Sequence, residues 1–104
     1  MDRKAVGIIK SFVKKLKKNF SIDKIIFFGS RAGDDYLNHS DIDLIIVSKD
    51  FNDIEFTKRI SLMYDYWDSD YDIDFLCYTP EEFEKLSKMI TVAREALEKG
   101  IVIQ

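Results

Sequence analysis

Two apolar stretches of this chain open in the same way. Asp41-Ile42-Asp43 leads into Leu44-Ile45-Ile46-Val47, and thirty-one residues later Asp72-Ile73-Asp74 leads into Phe75-Leu76-Cys77. Runs of aliphatic, β-branched and aromatic residues of this length read as buried strands. Side chains two apart on a strand point to one face. Each D-x-D therefore sends its two carboxylates one way and its isoleucine the other. If the two strands lie side by side, a third carboxylate joins the first pair. Few folds accept that: the chain needs a sheet, with both D-x-D ends where charge can be satisfied.

The segments around these strands supply the rest of an α/β arrangement. Residues 2–19 read as an amphipathic helix, with Ala5, Ile9, Phe12, Val13, Leu16 and Phe20 at helical spacing and five lysines on the other face. Ile22 to Phe28 is a further short buried strand, ending at Gly29-Ser30, and Gly33 to Asn38 reads as loop. Asn52 followed by Glu55 predicts a capped helix running to about Trp67, with a core stripe of Phe56, Ile60, Met63 and Trp67. The third strand is expected over Tyr71–Tyr78. Thr79-Pro80-Glu81-Glu82 is a helix start, with a capping threonine, proline at the first position and a capping-box glutamate. Helical pattern continues with an interruption to Lys99, Gly100 stops it, and Ile101-Val102-Ile103 forms a last short strand. The expected fold is α/β (α+β), a single mixed sheet packed with helices in one domain spanning 1–104.

Composition narrows the class. The chain has 104 residues, enough for one compact domain and too few to close a deep pocket around a large substrate. One cysteine, Cys77, rules out an intramolecular disulfide framework and a cysteine-based zinc site; it reads as a core residue. No apolar run approaches the ~20 residues that span a bilayer, and the charged N-terminus lacks a signal peptide's apolar centre. A soluble cytoplasmic protein is the expectation. The net charge of −3 conceals an asymmetry: residues 1–20 carry +6, residues 21–80 carry −8 and the remainder −1. An acidic middle within an apolar framework is either solvated loop or a set of carboxylates converging on cations.

Adjacent carboxylates repel and raise each other's pKa unless a cation sits between them. Magnesium takes hard oxygen ligands, few from the protein and the rest from water and phosphate. Three carboxylates in one place can hold two such ions in the clamp used for in-line phosphoryl transfer. Aspartate at a strand's start is also a common turn residue. Upstream, Gly29 lets backbone approach a ligand closely, and Ser30 adds a hydroxyl where backbone N–H groups can cradle phosphate.

Gly29-Ser30, ten residues, then Asp41-x-Asp43 resembles the signature of the DNA polymerase β-like nucleotidyltransferases. The text GSRAGDDYLNHSDIDLIIV is similar to that of the minimal nucleotidyltransferases, single-domain prokaryotic proteins. Ile73 to Phe83 resembles the strand bearing the family's third carboxylate with its following helix, and Glu98 to Ile103 also looks familial. The resemblance covers nearly the whole chain. It implies the polymerase β-like fold, with Gly29 and Ser30 at the nucleotide triphosphate. It implies that Asp41, Asp43 and Asp74 ligate two magnesium ions, Asp74 rather than Asp72 being the third carboxylate and helping to take the acceptor's proton. Arg31 matches the first arginine of the common GSRARG text, and Ser40 the serine before D-x-D, which adds both to the nucleotide-binding set. Gly33 and Asp34 depart from it: Gly33 stands where relatives have a second arginine, one cation fewer near the phosphates.

The same resemblance implies AMP transfer from ATP to a tyrosine hydroxyl of a small helical HEPN ribonuclease toxin, with this chain as antitoxin in a hetero-oligomer. Two other readings stand beside it: neutralisation by occlusion without catalysis, which the altered loop favours, and transfer to a small molecule. The remaining polar candidates read as ordinary surface or packing. His39 is a solvated loop residue; Asp65, Asp68 and Asp70 are a solvated helix end and loop. Tyr36, Tyr64, Tyr66 and Tyr71 are open to self-modification, although packing accounts for most of them. The basic first helix is a solvated face, or a surface for an acidic partner, rather than a nucleic-acid site.

Overall fold

A computed structural model describes residues 1–34 and 36–104; Asp35, inside the expected loop, lies outside the described residues. The first helix, α1 (Arg3–Leu16), is capped by Asp2, whose carboxylate accepts from the Ala5 N–H. Its apolar stripe is the expected one: Ala5, Ile9, Phe12, Val13 and Leu16 are all buried. Strands β1 (Lys24–Phe28), β2 (Ile42–Val47), β3 (Ile73–Tyr78) and β4 (Ile101–Val102) form one sheet in the order β3-β2-β1-β4. β1 runs antiparallel to β2 and β4, whereas β2 and β3 are parallel. Helices α2 (Phe56–Tyr64), α3 (Pro80–Ser87) and α4 (Val92–Lys99) complete the α+β layout. None of the described helices is long and apolar enough to cross a membrane.

Alternation along the strands sorts the sheet into two faces. Ile25, Phe27, Ile42, Leu44, Ile46, Phe75 and Cys77 pack under α1 and α2. Ile26, Ile45 and Val47 face the other way, against Phe83 of α3 and Ala93 and Ala96 of α4. The central strands are buried on both faces, which is why they read as continuous apolar runs. Cys77 is a core residue, its thiol pushed up to about 12 by burial although the Arg59 charge pulls the other way.

Several boundaries differ from those the sequence predicts. The first helix ends at Leu16, and residues 17–20 form a turn that still brings Phe20 against Phe51 and Tyr66. Asn52 does not start α2: it closes a short 3-10 turn, Lys49–Phe51, whose other end Ser48 caps, and Asp53 adopts a positive φ of 66°. α2 therefore starts four residues later, at Phe56, and ends at Tyr64. Only Met63 of its expected stripe is fully buried; Phe56 is exposed, and Arg59 turns inward instead. Arg59 donates to Glu82 Oε1 at 2.6 Å and to the Cys77 carbonyl at 3.2 Å. Tyr64 donates to the Ile73 carbonyl at 2.5 Å. Both carbonyls belong to β3, an edge strand, so α2 side chains occupy acceptors that an open edge would offer to another chain. β3 begins at Ile73 rather than Tyr71, whose phenol instead reaches Asp2. The Thr79–Glu82 capping box is present as expected, and the interruption beyond it separates α3 from α4.

Candidate active site

The parallel register of β2 and β3 sets Asp43 opposite Asp74. Both share strand parity with side chains of the α3–α4 face, so the two carboxylates emerge together at one end of that face. Asp41, just before β2, stands near them: its charge helps to raise both carboxyls. Burial, then the charges of Asp74 and Asp41, push the Asp43 carboxyl up to about 6. Asp74 is raised by burial, then by Asp41 and Asp72. The Tyr64 phenol at the β3 edge is raised as well, by burial and then by Asp74, Asp41 and Asp72. The sequence gives no hint that Tyr64 borders this cluster, since its place depends on where α2 ends.

On the other side of Asp43 stands Gly29, with φ 82° and ψ −167°. A Cβ there would lie 2.2 Å from Asp43 Oδ2. Glycine is thus required twice, by backbone conformation and by the carboxylate's approach. Gly29→Ala is expected to lower stability by about 1–3 kcal/mol and to displace Asp43. Urea unfolding of the variant checks the first effect, and loss of divalent-cation binding the second. Ser30 opens the 3-10 turn Ser30–Ala32 that follows.

The structure brings Asp41, Asp43, Asp74 and Gly29 together but gives Arg31 and Ser40 a different setting. Arg31 is buried, and all three guanidinium nitrogens are engaged within the protein. They donate to Asp2 Oδ2 at 2.5 Å, to the Asn38 carbonyl at 2.7 Å and to the Ser40 carbonyl at 2.5 Å. Tyr71 and Tyr36 rings lie 4.8 and 5.2 Å from the guanidinium carbon, in cation–π contact. Burial alone would raise Asp2, but hydrogen bonds from Ala5, Arg31 and Tyr71, with Arg31's charge, hold its carboxyl below the usual range. The Ser40 hydroxyl accepts from the Leu37 N–H. Arg31 thus ties the start of α1 to the loop that delivers Asp41. The sequence pattern places residue 2 inside the helix; its capping role and its ion pair with a residue twenty-nine positions away emerge only in the structure.

Two hollows flank the carboxylates. One, of about 520 Å3, includes Ser40, Tyr36, His39, Tyr71 and Asp72. The other, of about 540 Å3, lies between the Gly29–Gly33 loop and α4. Among the described residues, no three carboxylate, imidazole or thiol groups already stand close enough to close around a metal ion. Magnesium does not require that: one or two carboxylates suffice, with water and substrate phosphate filling the remaining positions. The donors are all hard oxygen, and the raised Asp43 and Asp74 show negative charge that a cation would relieve. The residues fit magnesium.

Known proteins resemble this chain in sequence and fold. A relative from Methanocaldococcus jannaschii, named "putative protein adenylyltransferase", is 46% identical over 56 residues, 52% of each chain, so this chain spans about half of that relative's length in the match. A crystal structure described as a "putative nucleotidyltransferase" from Sulfolobus solfataricus superposes with a TM-score of 0.71, covering 97% of this chain and 80% of that one. At 20% identity the likeness shows the fold. The nucleotidyltransferase domain family matches residues 9–103, a span that holds every carboxylate of the site and the Gly29–Ser30 turn, and the chain belongs to that family.

Proposed function

We propose that this protein transfers AMP from ATP to a tyrosine hydroxyl of a partner protein, a HEPN ribonuclease toxin, and thereby acts as its antitoxin. The observation carrying the reading is the register that sets Asp43 opposite Asp74, with Gly29 against Asp43. A protein acceptor is supported by the name of the M. jannaschii relative, matched over half its length.

Asp41, Asp43 and Asp74 would hold magnesium, as two ions. Bound there, magnesium neutralises triphosphate charge and lowers the pKa of the acceptor hydroxyl. Gly29 and Ser30 bring backbone and a hydroxyl against the phosphates. Asp74, its carboxyl raised toward neutrality, is suited to accept the acceptor's proton. The acceptor oxygen bonds to the α-phosphorus as the bond to the bridging oxygen breaks, and pyrophosphate leaves.

Incubation with α-labelled ATP, magnesium and the neighbouring gene product tests this. Label on a tyrosine of the partner is expected, and none with Asp41→Asn/Asp43→Asn. An unlabelled partner that both forms still silence would instead mean inhibition by occlusion, the reading favoured by Gly33-Asp34. Label on an aminoglycoside and none on the partner would mean a small-molecule transferase.

A further inference from the structure

Glycines and alanines make up five of the nine residues that line the hollow between the Gly29–Gly33 loop and α4. Gly29, Ala32 and Gly33 form one wall, and Ala96 and Gly100 stand opposite. From α4 the stripe Val92, Glu95, Ala96 and Lys99 lines it, one helix face over two turns. Its floor is Phe28, whose Cα partner across the sheet is Asp43. The hollow therefore lies on the same face as Asp43, one strand over. Among its lining residues Lys99 is the only cation. Arg31, the cation nearest in sequence, is fully engaged elsewhere. Lys99 is free to move: its Nζ stands 3.9 Å from Glu95 Oε1, with both side chains largely in solvent. An exposed pair at that separation contributes little to stability.

We propose that Lys99, across this hollow from the Gly29–Gly33 loop, supplies charge compensation to the phosphates held at that loop, exchanging Glu95 for phosphate. The assignment rests on the nucleotidyl-transfer reading above and names a residue of α4 within it. Gly29 borders both places, packed against Asp43 on one side and lining the hollow on the other, so phosphates held at Asp41 and Asp43 stand within reach of Lys99 across the hollow. A flexible ammonium group reaching into an open, small-residue hollow suits a triphosphate terminus better than a rigid one would. Glu95 is the resting partner: an anion in the same hollow, it competes with phosphate for Lys99.

The test measures equilibrium binding of ATP and of AMP by calorimetry, in magnesium, to wild type, Lys99→Met, Lys99→Arg and Glu95→Gln. Lys99→Met is expected to weaken ATP binding about five- to twenty-fold and to leave AMP binding within about two-fold. Lys99→Arg retains ATP affinity. Glu95→Gln shifts it the other way, tightening ATP about two- to five-fold through loss of the competing carboxylate. The difference between wild type and Lys99→Met narrows as salt rises. Both positions lie on a solvent face, so unfolding midpoints should be unchanged. Unaltered ATP binding in Lys99→Met overturns the proposal. So does equal weakening of ATP and AMP, which would place the nucleoside rather than the phosphates beside Lys99. A wild-type protein that binds neither nucleotide removes this proposal and the functional reading together.

Discussion

Asp43→Asn should lower nucleotidyl transfer by about 100- to 1000-fold and, in the absence of metal, make the protein more stable near neutral pH. Both effects come from the same crowding. The Asp43 carboxyl, raised to about 6 by burial and by Asp74 and Asp41, sits above its unfolded-state value, so the folded state disfavours the charged form. Its contribution to stability is fully present below about pH 4 and is lost as pH rises through about 6. A rise of that size corresponds to about 3 kcal/mol at full burial; water reaching the partly buried group brings the expected gain for Asp43→Asn at pH 7 to about 1–2 kcal/mol. Urea unfolding of metal-free protein from pH 4 to 8 measures it. Wild type should lose stability across that range relative to Asp43→Asn, and magnesium should restore wild type while leaving the variant unmoved. Equal slopes for the two proteins would show that Asp43 is not the strained carboxylate.

Arg31→Met should cost about 3–5 kcal/mol of folding stability, the largest loss expected of any single change outside the apolar core. The guanidinium is buried against Asp2, two carbonyls and two aromatic rings; without it, Asp2 keeps a buried charge with no cation. A domain of this length has a total stability of about 5–15 kcal/mol, so a fall in Tm of 10 °C or more is expected. Asp2→Asn breaks the same pair from the other side and should show strong coupling with Arg31→Met in a double-mutant cycle. The sign with pH is opposite to that of Asp43. Asp2 is held below its unfolded value, so its contribution is present above about pH 4 and lost as pH falls through the lower folded value. An Arg31→Met protein with wild-type unfolding and weakened ATP binding would instead return Arg31 to the nucleotide.

The paired D-x-D strands were readable because strand parity is local. Two residues suffice to put Asp41 with Asp43, or Asp72 with Asp74, on one side of a strand. The α1 stripe, the Thr79 capping box and the buried Cys77 were readable for the same reason, each depending on neighbours a few positions away. The start of α2 was misplaced because Asn52 and Glu55 carry a capping pattern that a competing local structure, the turn capped by Ser48, takes over.

The sequence by itself determined the strands, the faces their carboxylates occupy and the glycine beside them, since periodicity and backbone preference are written residue by residue. Only the tertiary structure decided that β2 and β3 are parallel neighbours in the register that sets Asp43 opposite Asp74. It also turned Arg31 from the loop's expected phosphate ligand into a buried clamp on Asp2, and it brought Lys99, seventy residues after Gly29, to the other wall of the same hollow. These contacts join segments far apart in the chain. Their partners are chosen by how helices and sheet pack, a choice no short stretch of sequence contains.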